Sequence, residues 1–120
     1  MPPPEPNVGE ICQIAEVLQD PRLQNRCVRI TGRLEQYDAT RELAKVAFQG
    51  ASMAVETRLL ANTHVELRIG SMYQFLGDTR VQAGSVCLSA RVVRNVDNLD
   101  IDLYLQALEL RRKFLASPGL

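Results

Sequence analysis

The chain predicts an all-β fold, a small barrel of five short strands followed by a single C-terminal helix. Three observations carry that prediction. Apolar and polar residues alternate with period two in short segments between residues 28 and 93. Turn-forming residues separate those segments, and beyond Asn95 the apolar spacing changes to that of a helix. At 120 residues, 46% hydrophobic and 23% charged, the composition suits one domain around a single core.

Taken in order, the opening Met1-Pro2-Pro3-Pro4-Glu5-Pro6 fixes backbone angles and buries nothing, so residues 1–7 are expected as a disordered, proline-rich tail. Folding is expected to begin near Val8, with a barrel domain over residues 8–95. Up to Asp20, the positions of Val8, Ile11, Ile14, Val17 and Leu18 suit a short helix. Partial alternation through Glu10-Ile11-Cys12-Gln13-Ile14 suits an extended lead-in strand equally, and both readings stay open.

Asp20-Pro21 signals a turn. Val28, Ile30, Gly32 and Leu34 then alternate with Arg29, Thr31, Arg33 and Glu35, the pattern of a half-buried strand, with Gly32 as the expected sharp bend. Residues 37–42 read as a loop, followed by strands over 43–48 and 51–57 around the turn at Gln49-Gly50. Residues 58–68 are irregular, with Leu59, Leu60, Val65 and Leu67 as expected core contacts. Strands over 72–80 and 85–93, joined at Ala83-Gly84, complete the set. Five strands, an irregular connection after the third and glycines at the bends match a five-stranded Greek-key barrel of the OB type. Its core is Val, Leu, Ile and Ala, because aromatics make up 5% and Trp is absent.

The final helix is expected within residues 96–116, with 117–120 as a flexible end. Asp97, Asn98 and Asp100 offer capping oxygens and negative charge at its start, and Arg111, Arg112 and Lys113 suit its negative end. Ile101, Tyr104, Leu105, Leu108 and Leu115 form one apolar stripe; Leu103, Ala107, Leu110 and Phe114 form another beside it. A small barrel covers one such stripe. The other either folds back under the barrel or meets a second polypeptide, and a helix appended after a finished barrel favours the second polypeptide.

Several function classes fit poorly. A formal net charge of +0 supplies no long-range field for non-specific nucleic-acid binding, so any such contact rests on a local patch. Cys12, Cys27 and Cys87 are odd in number and form no CxxC pair, which suggests neither a disulfide framework nor a zinc site. No signal peptide or membrane-spanning run is evident, so a cytosolic or nuclear protein is expected. The single histidine, His64, has no Cys or Ser-Asp constellation around it, and Gly77 and Gly84 are too isolated for a phosphate loop. No catalytic residue, metal, cofactor or small-molecule substrate is therefore expected. On an OB barrel, single-stranded nucleic acid would meet Tyr37, Arg41, Lys45 and Arg80, a thin set that implies weak or auxiliary contact.

Certain runs resemble a known family. Gly32-Arg33-Leu34 with Tyr37-Asp38, Gly70-Ser71-Met72-Tyr73 with Leu76-Gly77, and Gly84-Ser85-Val86 with Ala90-Arg91-Val92, followed by the leucine-rich helix, are similar in order and spacing to the Ten-type smallest subunits of the telomeric Ctc-Stn-Ten (CST) complex. The likeness spans residues 28–114. It implies a non-catalytic OB subunit that pairs with an Stn-like OB subunit and joins a Ctc or Cdc-type large subunit in a heterotrimer resembling replication protein A. Such a complex binds telomeric single-stranded DNA, protects chromosome ends and supports fill-in by polymerase α-primase, in the nucleus. The resemblance implies Arg29 and Phe114 as partner contacts, and with the helix positions Tyr104, Ala107, Leu108, Leu110 and Arg111 they form the expected partner-binding set. Arg29 points off the core if Val28 and Ile30 point in, placed to fork onto a carboxylate or simply to face solvent. Two alternatives are the smallest subunit of a replication protein A-like heterotrimer and an autonomous single-strand-binding OB protein.

Overall fold

Both structures left open at the start of the chain are present, one after the other. The computed structural model describes residues 9–60 and 63–115, apart from the side chains of residues 114 and 115. The expected tail, residues 1–7, and the expected end, residues 117–120, lie outside them. In order come β1 (Glu10–Ile11), α1 (Ile14–Gln19), β2 (Cys27–Asp38), β3 (Leu43–Phe48), β4 (Ala51–Glu56), β5 (Met72–Gln82), β6 (Ser85–Asn95) and α2 (Ile101–Leu115), with 3-10 turns at Pro21–Leu23 and Arg58–Leu60.

The five long strands close into a barrel. β2 pairs antiparallel with β3 along Arg33 to Asp38 and with β5 along Cys27 to Arg33, so one strand serves both halves of the wall. β4 pairs antiparallel with β3 and parallel with β6, and β6 returns antiparallel to β5. This is the Greek-key order of an OB barrel. β1 adds two residues in parallel beside β2. The turns at Gln49-Gly50 and Ala83-Gly84 have positive φ at both residues, the twist that suits right-handed strands in a tight hairpin.

Inward residues of every strand meet in one core. Val28, Ile30, Leu34, Val46, Val55, Phe75 and Leu88 are fully or almost fully buried, and α1 packs against β2, β3 and β4 to add Ile14 and Val17. The buried Tyr73 hydroxyl donates to Glu66 O at 2.7 Å and accepts from Arg68 N at 2.7 Å, fastening the irregular connection to the wall.

Three expectations need correction. The irregularity in β2 lies between Leu34 and Gln36, not at Gly32. Gly32 is instead a point of close approach, where a Cβ would stand 3.1 Å from both Ile14 Cδ1 and Ala47 O. Tyr37 and Asp38 belong to β2, paired with Ala44 and Leu43, because the Asp38 carboxylate accepts from Thr40 N and Arg41 N and tightens the loop to residues 39–42. Leu59 is exposed; Leu60 is the buried member of that turn. Thr31 faces outward as its alternation predicts and is nonetheless buried, its hydroxyl 3.4 Å from that of Tyr104 on α2.

Candidate partner-binding helix and nucleic-acid groove

Asp100 caps α2. Its carboxylate accepts from Leu103 N at 3.0 Å and its carbonyl from Tyr104 N at 2.9 Å. Asp97, expected at the same task, does another: its carboxylate accepts from Met72 N at 2.7 Å and Asn95 Nδ2 at 2.9 Å, which holds the helix connection to the start of β5. Those hydrogen bonds, the one from Met72 foremost, keep its carboxyl below the ordinary 3.8.

From this start the two stripes of α2 part company. Ile101, Tyr104 and Leu105 are half-buried against the core and Leu108 is buried. The Tyr104 ring stands edge-on to Phe48, and the Thr31 hydroxyl lies 3.4 Å from its oxygen. Leu103 is 63% exposed and Leu110 69% exposed, with Ala107 and Arg111 exposed beside them. The expected partner set therefore divides. Ala107, Leu110 and Arg111 face outward, whereas Tyr104 packs against the barrel core and Leu108 is buried within the folded chain. Phe114 belongs to α2, but its side chain lies outside the described residues.

Arg29 is half-buried on the outer wall, opposite Leu76 in the β2–β5 register. With Gln74, Leu76, Val92 and Arg94 it lines a hollow of about 190 Å³. Val92 is 54% exposed, and Arg94 Nε donates to Gln74 Oε1 at 3.0 Å. Sequence reasoning missed Val92 as a surface residue. The signal was present in the Val92-Val93 pair, since adjacent strand residues face opposite sides and one of two valines must point out.

Arg112 was also underestimated. Its guanidinium forks onto Glu16, Nη1 to Oε2 at 2.6 Å and Nη2 to Oε1 at 2.7 Å, and Nη2 also donates to Ile11 O at 3.1 Å. No local sequence signal links residues so far apart.

A second, polar site lies on the β2–β3 wall. Tyr37, Arg41 and Lys45 share a groove of about 790 Å³ with Met53, Val86 and Leu18. Arg80 does not line it; its guanidinium sits 2.6 Å from Glu56 Oε2 across the wall. Lys45 stands 3.8 Å from Glu35, too long and exposed to be held there. His64 is exposed. Burial pushes the Cys12 thiol up to about 12, with Glu10 and Glu16 adding to the shift, so it stays protonated and unreactive. Among the described residues no three His, Cys, Asp or Glu side chains are grouped to hold a metal, and no helix is long and apolar enough to cross a membrane.

Comparison with known proteins adds an independent line. A family model described as a telomere-capping, CST complex subunit matches residues 5–118. CST complex subunit TEN1 of Arabidopsis thaliana is 33% identical over 90 residues, covering 73% of this chain and 69% of that protein. Among solved structures, telomere capping protein Ten1 from Saccharomyces pombe superposes with a TM-score of 0.72 at 14% identity, covering 88% of this chain and 98% of that one. A chain of the S. pombe Stn1-ten1 complex gives 0.71 at 14% identity, covering 92% and 98%. At such identity the structures speak for the fold.

Proposed function

The chain belongs to the family of telomere-capping CST complex subunits, and from that premise we propose that it is the small OB subunit that binds an Stn-like OB partner through α2 and the adjoining outer wall. The observation that carries this reading is the helix with one stripe docked and the other bare. Leu103 and Leu110 would each contribute about 1–2 kcal/mol on burial in a partner groove. Arg29, on the wall with Val92 and Arg94, is placed to fork onto a partner carboxylate, and Phe114 extends the bare stripe in sequence. Together with a Ctc or Cdc-type large subunit the pair forms a nuclear heterotrimer that protects telomeric ends and supports fill-in by polymerase α-primase. Chemistry belongs to those other proteins.

A specific observation favours a further contact with single-stranded DNA. Tyr37, Arg41 and Lys45 all line one groove, Tyr37 on the strand face of Ala44 and Lys45 on the opposite face, so a base can stack on the ring while a cation at the groove edge meets a phosphate. One aromatic and two bases make this an auxiliary contact within the complex rather than an autonomous site.

Co-expression tests the proposal. A stable one-to-one complex with an Stn-like OB subunit, and none with the corresponding subunit of a replication protein A-like trimer, is the expected result. Failure to form that complex overturns the reading. Titration of the lone chain with G-rich and T-rich oligonucleotides is expected to give weak binding that falls with salt.

A further inference from the structure

Among the described side chains of α2 beyond Leu108, one alone has a hold on the rest of the chain. Glu109, Leu110, Arg111 and Lys113 are all exposed, and the remaining described side chain, Arg112, is the half-buried one. That residue makes three contacts with the start of the chain. It grips both oxygens of Glu16 on α1 and the carbonyl of Ile11 at the end of β1, 96 and 101 residues away in sequence. Glu16 is fixed in turn, because its Oε1 accepts from Gln13 N at 2.8 Å in the capping box that opens α1. Ile14 and Val17, on either side of Glu16, are rooted in the core. The grip is thus anchored on a rigid base.

We propose that Arg112 and Glu16 form a positioning clasp that holds the last turns of α2 at a fixed angle and so presents Leu110 to the partner subunit. The inference rests on the assignment of α2 as the partner-binding element. A bidentate guanidinium–carboxylate pair fixes orientation as well as distance, which a single apolar contact does not. Without it, no described side chain after Leu108 holds the segment carrying Leu110 to the rest of the chain, and ordering that segment becomes part of the cost of association. The N-terminal helix then serves recognition from a distance, although none of its residues need touch the partner.

The experiment uses the full chain and an Stn-like OB subunit, with affinity measured by calorimetry and backbone order by hydrogen exchange. Arg112→Met is expected to weaken association about fivefold, the scale of a half-exposed charge pair. Amide exchange over residues 109–115 should quicken in the free chain while strand amides keep their protection. Glu16→Gln, which retains a capping acceptor, is expected to reproduce both effects. The exchanged pair, Arg112→Glu with Glu16→Arg, should recover part of the lost affinity. An unchanged affinity in Arg112→Met overturns the clasp, and so does a loss of affinity without faster exchange, which would mean that Arg112 touches the partner directly. If the wild-type chain itself fails to bind, the partner assignment falls with it. A wild type that binds beside indifferent variants removes the clasp alone.

Discussion

Tyr104 meets Phe48 edge to face, with ring centroids 6.2 Å apart and planes at 89°. Phe48 is the last residue of β3 and is itself buried. A helix residue therefore completes the cover of a barrel strand, which makes the first turns of α2 part of the fold rather than an appendage.

Truncation on the docked stripe should accordingly cost stability. Leu108→Ala removes a buried side chain and is expected to lower unfolding free energy by about 2–4 kcal/mol. Tyr104→Phe keeps the ring contact and loses only a long hydroxyl contact with Thr31, so its cost stays below about 1 kcal/mol. Urea titration of the two variants checks the contrast.

The bare stripe should behave in the opposite way. Leu110→Glu replaces an exposed apolar side chain and is expected to change stability by no more than about 0.5 kcal/mol. In complex formation the same change forces a carboxylate into an apolar contact, and association with an Stn-like subunit should be lost. Phe114→Glu is expected to weaken association in the same way. Pull-down alongside thermal melting reads both quantities; retained binding by Leu110→Glu would remove that residue from the interface.

Gly77 is required where β5 and β6 slip register between Leu76 and Gly77. A Cβ there would overlap the backbone of Ser89 and stand 2.8 Å from Ala90 Cα, neither of which is a flexible side-chain end. Gly77→Ala is expected to destabilise by about 3 kcal/mol or more, since two paired strands must separate. Gly84→Ala meets nothing within 4 Å and is strained only by its positive φ, so it should cost about 1 kcal/mol. Equal loss in the two variants would contradict this.

Acid sensitivity should trace in part to Asp97. Its carboxyl is held below the ordinary 3.8 by the hydrogen bond from Met72 N and then by that from Asn95. A group whose folded value is lowered contributes stability above its unfolded value and loses it as pH falls through the folded one. Asp97→Asn should therefore melt below wild type at neutral pH, and the two curves should converge below about pH 3.8. Parallel melting curves down to pH 2 would show that the carboxylate does not act this way.

Much of this molecule is legible from local pattern. Val28, Ile30 and Leu34 mark the inner face of β2 because adjacent strand side chains face opposite ways, and Gly50 and Gly84 mark the hairpins because glycine takes a positive φ without a Cβ penalty, whereas Gln49 and Ala83, which share that conformation, give no such signal. The two stripes of α2 follow from spacing in the same manner.

What the spacing does not contain is the identity of the surface that covers each face. Periodicity tells that Leu108 and Leu110 lie on different sides of a helix, but only the way the helix lies on the folded chain decides that Leu108 is the buried one. The same holds for charges. Arg80 turns to Glu56, Asp97 to Met72 N and Arg112 to Glu16 across 24, 25 and 96 residues. A long or polar side chain finds its partner by proximity in the folded chain, and nothing beside it in sequence records which partner that is.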